Sequence, residues 1–303
     1  MGAAEPARVR AEVVAAAARL AAAGVHSPQT DAELLAAHVL GVARGWLAMT
    51  PSFEPDQLER FRALVAQRAT RIPLQHLTGV AGMGEIDLEV GPGVFVPRPE
   101  TELVFAWALE QVAAVWHPQP VVVDLCTGSG ALALAIAHAR PDAQVHAVEL
   151  DPDALSWARR NADRQAAEGD TPITVHAGDV TDPEVLAALS GQVDIVVANP
   201  PYIPVDAVLD PEVADHDPHL ALFGGVDGLD VIRPMVGTIA RLLRPGGVAA
   251  VEHDDTNGSG VAALFRDRGE FGSVTEHPDL AGKPRFVTVR RTSGCGGSGR
   301  TAW

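Results

Sequence analysis

Asn199-Pro200-Pro201-Tyr202 is the stretch whose residue types could do chemistry. Asn199 and Pro200 each precede a proline and are pushed toward extended backbone, and neither proline has an N–H to donate. The turn is therefore stiff and poor in donors. It presents the side-chain oxygen of Asn199 and the carbonyl of Pro200 as fixed acceptors, with the Tyr202 ring beside them. Two acceptors can hold both hydrogens of a planar NH2 group while the ring covers one face, leaving the nitrogen open to an electrophile on the other. The NH2 could belong to an amide or to the exocyclic amine of a base. The bland alternative is a stiff turn and nothing more.

A second stretch, Cys126-Thr127-Gly128-Ser129-Gly130, follows Asp124-Leu125 at the end of one apolar run and opens a helical one. Glycines there let the backbone approach a ligand closely, and such a crevice is where open α/β sheets bind nucleotides. Glu149, 21 residues after Gly128, ends the next apolar run, where an acid accepts hydrogen bonds from ribose hydroxyls. Asp179 and Val180, after a third run, would lie near an adenine, though Asp179 reads equally well as a solvated loop acid. Gly128, Gly130 and Ala133 also satisfy G-x-G-x-x-A, so a dinucleotide dehydrogenase fits these residues as well. The Asn-Pro-Pro-Tyr stretch separates the two readings. A dehydrogenase has no evident use for an amine clamp, whereas methyl transfer from S-adenosylmethionine to nitrogen needs one.

The elements that must position these residues alternate along the chain. Val121–Leu125, Gln144–Leu150, Ile173–His176, Val193–Ala198 and Val248–Glu252 read as strands, the fourth apolar except for Asp194, as expected when both faces are buried. Between and after them, helices are expected over Ala131–Ala139, Pro152–Ala167, Val185–Leu189, Leu229–Leu243 and Val261–Arg268. Two closely spaced strands, Phe271–Glu276 and Arg285–Arg290, should form an antiparallel edge. This order implies a parallel sheet covered on both faces.

Ahead of it come three amphipathic helices, over residues 6–23, from Ser27-Pro28 to Gly41, and Pro55–Ala69, with Ser27 offering a cap. They make a small all-α domain, 1–71, that either docks a partner or caps the larger domain. Residues 72–97 read as a hairpin-like connector, 98–291 as the α/β domain, and the Gly/Ser-rich 292–303 as a disordered tail.

The 303 residues carry a net charge of −16, which argues against a broad grip on a phosphate backbone and so against stable nucleic-acid binding. The only cysteines, Cys126 and Cys295, suit a reducing, cytoplasmic setting. No apolar run approaches the roughly 18 residues of a membrane span. No secretory signal is expected at the N-terminus.

With these residues in hand, the chain resembles the HemK/PrmC family of protein-(glutamine-N5) methyltransferases. The likeness runs through Phe95-Val96-Pro97-Arg98-Pro99-Glu100-Thr101-Glu102, the glycine loop, Glu149 and Asn-Pro-Pro-Tyr. It continues through Pro211-Glu212-Val213, Leu220-Ala221-Leu222-Phe223-Gly224-Gly225 and Asp227-Gly228-Leu229. The resemblance implies a class I Rossmann-like S-adenosylmethionine-dependent methyltransferase domain behind a helical N-terminal domain. Its substrates would be class I peptide chain release factors, methylated on a glutamine. It further implies that Cys126 to Gly130 wrap the methionine end of the cofactor and that Glu149 binds the ribose. Asn199, Pro200, Pro201 and Tyr202 would hold the glutamine, with Asn199, Pro200 and Tyr202 catalytic and Asn199 also against the cofactor.

Cys126 departs from the glycine of many relatives, and its side chain is tolerable if φ is negative. Asn-Pro-Pro-Tyr also occurs in adenine-N6 DNA methyltransferases, which would need base flipping and a basic cleft. A non-catalytic factor-binding module is a further rival. Asp215, His216, Asp217 and His219 match no strong metal-ligand spacing, and no metal is expected; in the family this region is a loop over the substrate.

Overall fold

The computed structural model describes residues 8–293; the expected tail, apart from Thr292 and Ser293, lies outside the described residues. The chain divides into two compact units, Met1–Val80 with Leu209–His216, and Ala81–Val208 with the remainder.

The first unit is built on helices Val9–Ala22, Pro28–Leu40 and Pro55–Arg68, followed by the short helix Leu74–Thr78. Their apolar faces meet around Leu20, Leu35, Phe61 and Val65. The expected cap at Ser27 is not formed by its side chain, and Pro28 alone starts that helix; Gly41, with φ at +67°, ends it. Leu209–His216, far away in sequence, joins this unit through ion pairs. Arg68 is buried and donates to Asp31 and to Glu212, each at 2.7 Å, and Arg71 pairs with Asp210.

From Ala81 the second unit opens with a hairpin, β1 (Val80–Met83, its first residue still counted with the helical unit) and β2 (Ile86–Glu89). Its main sheet holds β3 (Val121–Leu125), β4 (Gln144–Glu149), β5 (Thr174–Ala177), β6 (Val193–Ala198), β7 (Leu243–Glu252), β8 (Phe271–Pro278) and β9 (Pro284–Arg291), in the order β5-β4-β3-β6-β7-β9-β8. β3 to β7 run parallel, and β9 and β8 close the edge antiparallel, as expected from their spacing. Every residue of β6 is buried. Ile195 and Val197 pack on one face, with helices Thr101–Ala113 and Ala131–Ala139. Val196 and Ala198 pack on the other, with Ile232–Leu242 and Gly258–Asp267. Asp194, the polar exception, accepts from the Val121 N–H, His117 and Arg244.

Two expectations shift. The helix expected over Val185–Leu189 is only a 3-10 turn, Ala187–Leu189, and β7 begins at Leu243 because Gly246 and Gly247 continue in the strand. No described helix is long and apolar enough to cross a membrane.

Candidate active site

In a parallel sheet all carboxyl ends lie along one edge, and here the chain reverses direction of travel between β3 and β6. β3 leads outward to β4 and β5, and β6 leads the other way to β7, so the crevice of the fold opens between the ends of β3 and β6. The register makes this exact in residues: Val148, Leu125, Ala198 and Val251 are paired across β4, β3, β6 and β7. The next residue on each is Glu149, Cys126, Asn199 and Glu252. One row across four neighbouring strand ends thus holds the expected ribose acid, the start of the glycine loop, the asparagine expected to act as a clamp and a further acid.

The glycine loop is held from below by Asp124. This buried carboxylate accepts from the Thr127 hydroxyl at 2.5 Å and from the Ala133 N–H at 3.2 Å, and burial pushes its pKa up to about 7. Asn161, fully buried, donates to the carbonyls of Ser129 and Glu89 and so ties the loop to β2. Gly128 and Gly130 have φ of +58° and +88°, a conformation open to glycine. A Cβ on Gly128 would meet no protein atom within 4 Å, so the space above it is open.

Cys126 corrects an expectation. Its φ is +61°, not negative, so its side chain sits in the left-handed region that glycine occupies without cost. Burial pushes its thiol well above the ordinary range, and Glu149, Asp124 and Asp179 add to the shift.

Glu149 accepts from the Gly128 N–H at 2.8 Å and from the Leu150 and Asp151 N–H groups at 2.9 Å. Burial raises its pKa and these three donors oppose the rise. On the neighbouring strand the Gly178 N–H donates to the Glu149 carbonyl, which brings Asp179 and Val180 to the same edge. Asp179 accepts from the N–H and hydroxyl of Thr181. Val180 is buried, and its carbonyl accepts from Thr238. An acid beside an open glycine loop fits a nucleoside with free ribose hydroxyls, as S-adenosylmethionine has.

At the end of β6, Asn199 donates from Nδ2 to the Thr101 hydroxyl at 3.2 Å. Among the described residues nothing donates to its Oδ1 or to the Pro200 carbonyl. Both acceptors that the stiff turn was expected to offer therefore lack a donor among the described residues, with Asn199 half-buried and Pro200 buried. Tyr202 donates its hydroxyl to Glu252 at 2.9 Å, and the Tyr202 carbonyl accepts from Asn257 Nδ2 at 3.0 Å.

The turn is backed by a second loop. Ile203 N–H donates to Leu222 and Gly224 N–H to Ile203, both at 2.9 Å. A Cβ on Gly224 would lie 2.6 Å from the Pro201 carbonyl oxygen, and one on Gly228 2.2 Å from that of Tyr202. Only glycine permits this approach.

Sequence reasoning missed Thr101, Asn161, Glu252 and Asn257 as members of the site. Thr101 stood inside the 95–102 segment that carries the family likeness, but Glu252 read only as the end of a strand. Asp217 is buried and pairs with Arg98 at 2.5 Å, and His219 packs on the Phe223 ring. Among the described residues no cluster of three or more His, Cys, Asp or Glu could hold a metal ion.

Residues 13–79 match the family model described as the PrmC N-terminal domain, and residues 107–214 match the methyltransferase small domain. Among solved structures, a T. thermophilus 16S rRNA methyltransferase in complex with AdoMet and guanosine shares the fold with a TM-score of 0.51 at 22% identity, over 70% of this chain and 49% of that one. The chain is 56% identical to the release factor glutamine methyltransferase of Mycolicibacterium smegmatis, over 94% of this chain and 98% of the relative. It is 51% identical to that of Mycobacterium tuberculosis H37Rv over 93% and 91%, and 44% identical to that of Deinococcus radiodurans over 92% and 97%. Likeness of this extent along nearly the whole of both chains places the protein in the family of release factor glutamine methyltransferases.

Proposed function

We propose that the protein methylates the side-chain amide nitrogen, N5, of the glutamine in the Gly-Gly-Gln motif of class I peptide chain release factors, in the cytoplasm. The observation that carries this reading is the pair of acceptors left without a donor, Asn199 Oδ1 and Pro200 O, one strand away from the glycine loop. In this reading Cys126 to Gly130 and Glu149 hold S-adenosylmethionine, with Asp179 and Val180 toward its adenine and Asn199 at its edge. Bound there, it supplies an electrophilic methyl group on a sulfonium. The helical unit, with Leu209–His216, docks the protein substrate.

An amide nitrogen is a poor nucleophile because its lone pair is delocalised into the carbonyl. Hydrogen bonds from the substrate NH2 to Asn199 and Pro200 favour a pyramidal nitrogen and aim its lone pair, while the Tyr202 ring covers the opposite face. These bonds strengthen as the nitrogen becomes positive, so they stabilise the transition state more than the ground state. Holding the two reacting atoms together supplies much of the remainder. The methylated nitrogen is strongly acidic, and water takes its proton without a dedicated base.

Mass spectrometry of purified release factor after incubation with enzyme and S-adenosylmethionine tests the reaction, with one added methyl expected on that glutamine. Labelled methyl entering duplex DNA, and none entering release factor, would instead favour an adenine methyltransferase. Asn199→Ala tests the clamp, with a loss of about 100- to 1,000-fold in kcat expected at saturating cofactor.

A further inference from the structure

We infer that Glu252 is a positioning residue that decides, through Thr101, which end of the Asn199 amide faces the substrate. The inference rests on the reading of Asn199 as an amine clamp. An amide's oxygen and nitrogen ends have nearly the same shape. Turned by half a rotation, Asn199 would present hydrogens to the substrate NH2 and repel it. Neither the stiff turn nor the two prolines prevents that rotation.

The directions of the hydrogen bonds prevent it. Glu252 is 1% exposed and sits one residue beyond Val251, in the same row as Asn199, so its side chain points to the face where helix Thr101–Ala113 begins. Its Oε2 lies 2.9 Å from the Thr101 hydroxyl, and its Oε1 lies 2.9 Å from the Tyr202 hydroxyl. An ionised carboxylate can only accept, so both hydroxyls must donate to it. A hydroxyl has one hydrogen. Once Thr101 gives its hydrogen to Glu252, its oxygen can only accept from Asn199, 3.2 Å away. Asn199 must then turn Nδ2 toward Thr101 and Oδ1 toward the crevice. One buried carboxylate thereby sets both polar side chains of the Asn-Pro-Pro-Tyr turn.

The same polarity decides specificity. A glutamine side chain brings two hydrogens to Oδ1 and the Pro200 carbonyl, whereas an ionised glutamate brings none and meets two acceptors. Were the relay reversed, Asn199 would offer an N–H and the carboxylate would be tolerated. The relay therefore makes the site select an amide over an acid of the same shape.

Glu252→Gln can reverse the relay, because its amide can donate to Thr101, which then donates to a rotated Asn199. Thr101→Val removes the middle of the relay at nearly constant shape, and Thr101→Ser keeps it. For Glu252→Gln and Thr101→Val, kcat should fall about 10- to 100-fold at unchanged cofactor affinity, with Thr101→Ser within about 3-fold of wild type. The double variant Glu252→Gln/Thr101→Val should be no slower than the worse single variant, since both break one relay. A release-factor domain carrying glutamate for the target glutamine should inhibit Glu252→Gln about 10-fold more strongly than wild type.

Thr101→Val at wild-type kcat, or losses that multiply in the double variant, would overturn the relay. If that happens while Asn199→Ala is inactive, the clamp stands without it. If Asn199→Ala itself keeps wild-type kcat, clamp and relay fall together.

Discussion

The Gly128 amide and the Glu149 carboxylate lie 2.8 Å apart, which joins the loop after β3 to the end of β4. Glu149 thus shapes the glycine loop, in addition to the ribose-binding role proposed for it. Glu149→Gln keeps one acceptor oxygen but loses the charge and half of the accepting capacity. Cofactor affinity should fall by about 1.5–3 kcal/mol for each charged hydrogen bond lost. Calorimetric titration with S-adenosylmethionine measures it, and an unchanged dissociation constant would remove Glu149 from the site.

Cys126, at φ +61°, carries a side chain where the backbone favours none. Cys126→Gly should relieve about 1–2 kcal/mol of left-handed strain, offset in part by the greater freedom of glycine in the unfolded chain. A net gain of about 1 kcal/mol corresponds to about 2–4 °C in Tm for a domain of this size. A lower Tm would show that the thiol's packing outweighs the strain.

Arg68 should be the most sensitive polar position of the helical unit. It is buried between Asp31 and Glu212, and its Nη1 also donates to the Ile72 carbonyl at 2.9 Å. Arg68→Ala leaves Asp31 buried without its cation, at a cost of about 3–5 kcal/mol. Hydrogen exchange should quicken together in helix Pro28–Leu40 and in Leu209–His216. Exchange unchanged in the second segment would mean that Arg71 alone retains it.

Two buried acids should respond to pH near neutrality. Asp124 and Glu252 each have a folded pKa of about 7, mainly through burial, against unfolded values of 3.8 and 4.5. The folded state therefore holds more protons between about pH 4 and 7, and the stability that this contributes is lost progressively as pH rises across that window to the folded pKa. His146 and His176, lowered by burial, act with the opposite sign, so the wild-type curve alone is uninformative. Asp124→Asn should gain on wild type as pH rises from about 5 to 7, by at most about 1.4 kcal/mol per pH unit, and level off above that. A difference in Tm that stays constant with pH would contradict the assignment. Glu252 faces Tyr202, Thr101, Glu100 and Arg285, and since the relay needs its ionised form, kcat should rise with pH through about 7.

What could be read from the chain and what could not follow from how far apart the interacting residues are. Val121–Leu125 and Val193–Ala198 announce themselves because strands buried on both faces must be apolar runs, and each ends at a residue whose chemistry is visible. The stiff turn proposed as the clamp was legible because proline acts on its immediate neighbours. Thr101 and Glu252 are 151 residues apart, and Arg68 and Glu212 are 144 apart, so no local pattern links them. Glu252 ends its strand as Glu149 does, but it lacks the glycine loop that marks Glu149 from the end of the preceding strand. The positive φ of Cys126 did have a signal, the glycine that relatives carry there, which was read as tolerance of a side chain when it reported the backbone.

Gly224 and Gly228 press against the carbonyls of Pro201 and Tyr202 so closely that neither loop can change alone. The Asn-Pro-Pro-Tyr turn is thus one half of a two-part device. Transplanted by itself into another sheet, it would carry the acceptors without the wall behind them. Recombination that preserves this chemistry must keep everything from the end of β6 to Leu229 on one inherited fragment, including Leu209–His216, which folds with the helices. The Asn-Pro-Pro-Tyr turn and the helical unit are therefore bound to a shared lineage, because the chain that connects the two loops runs through the helical unit.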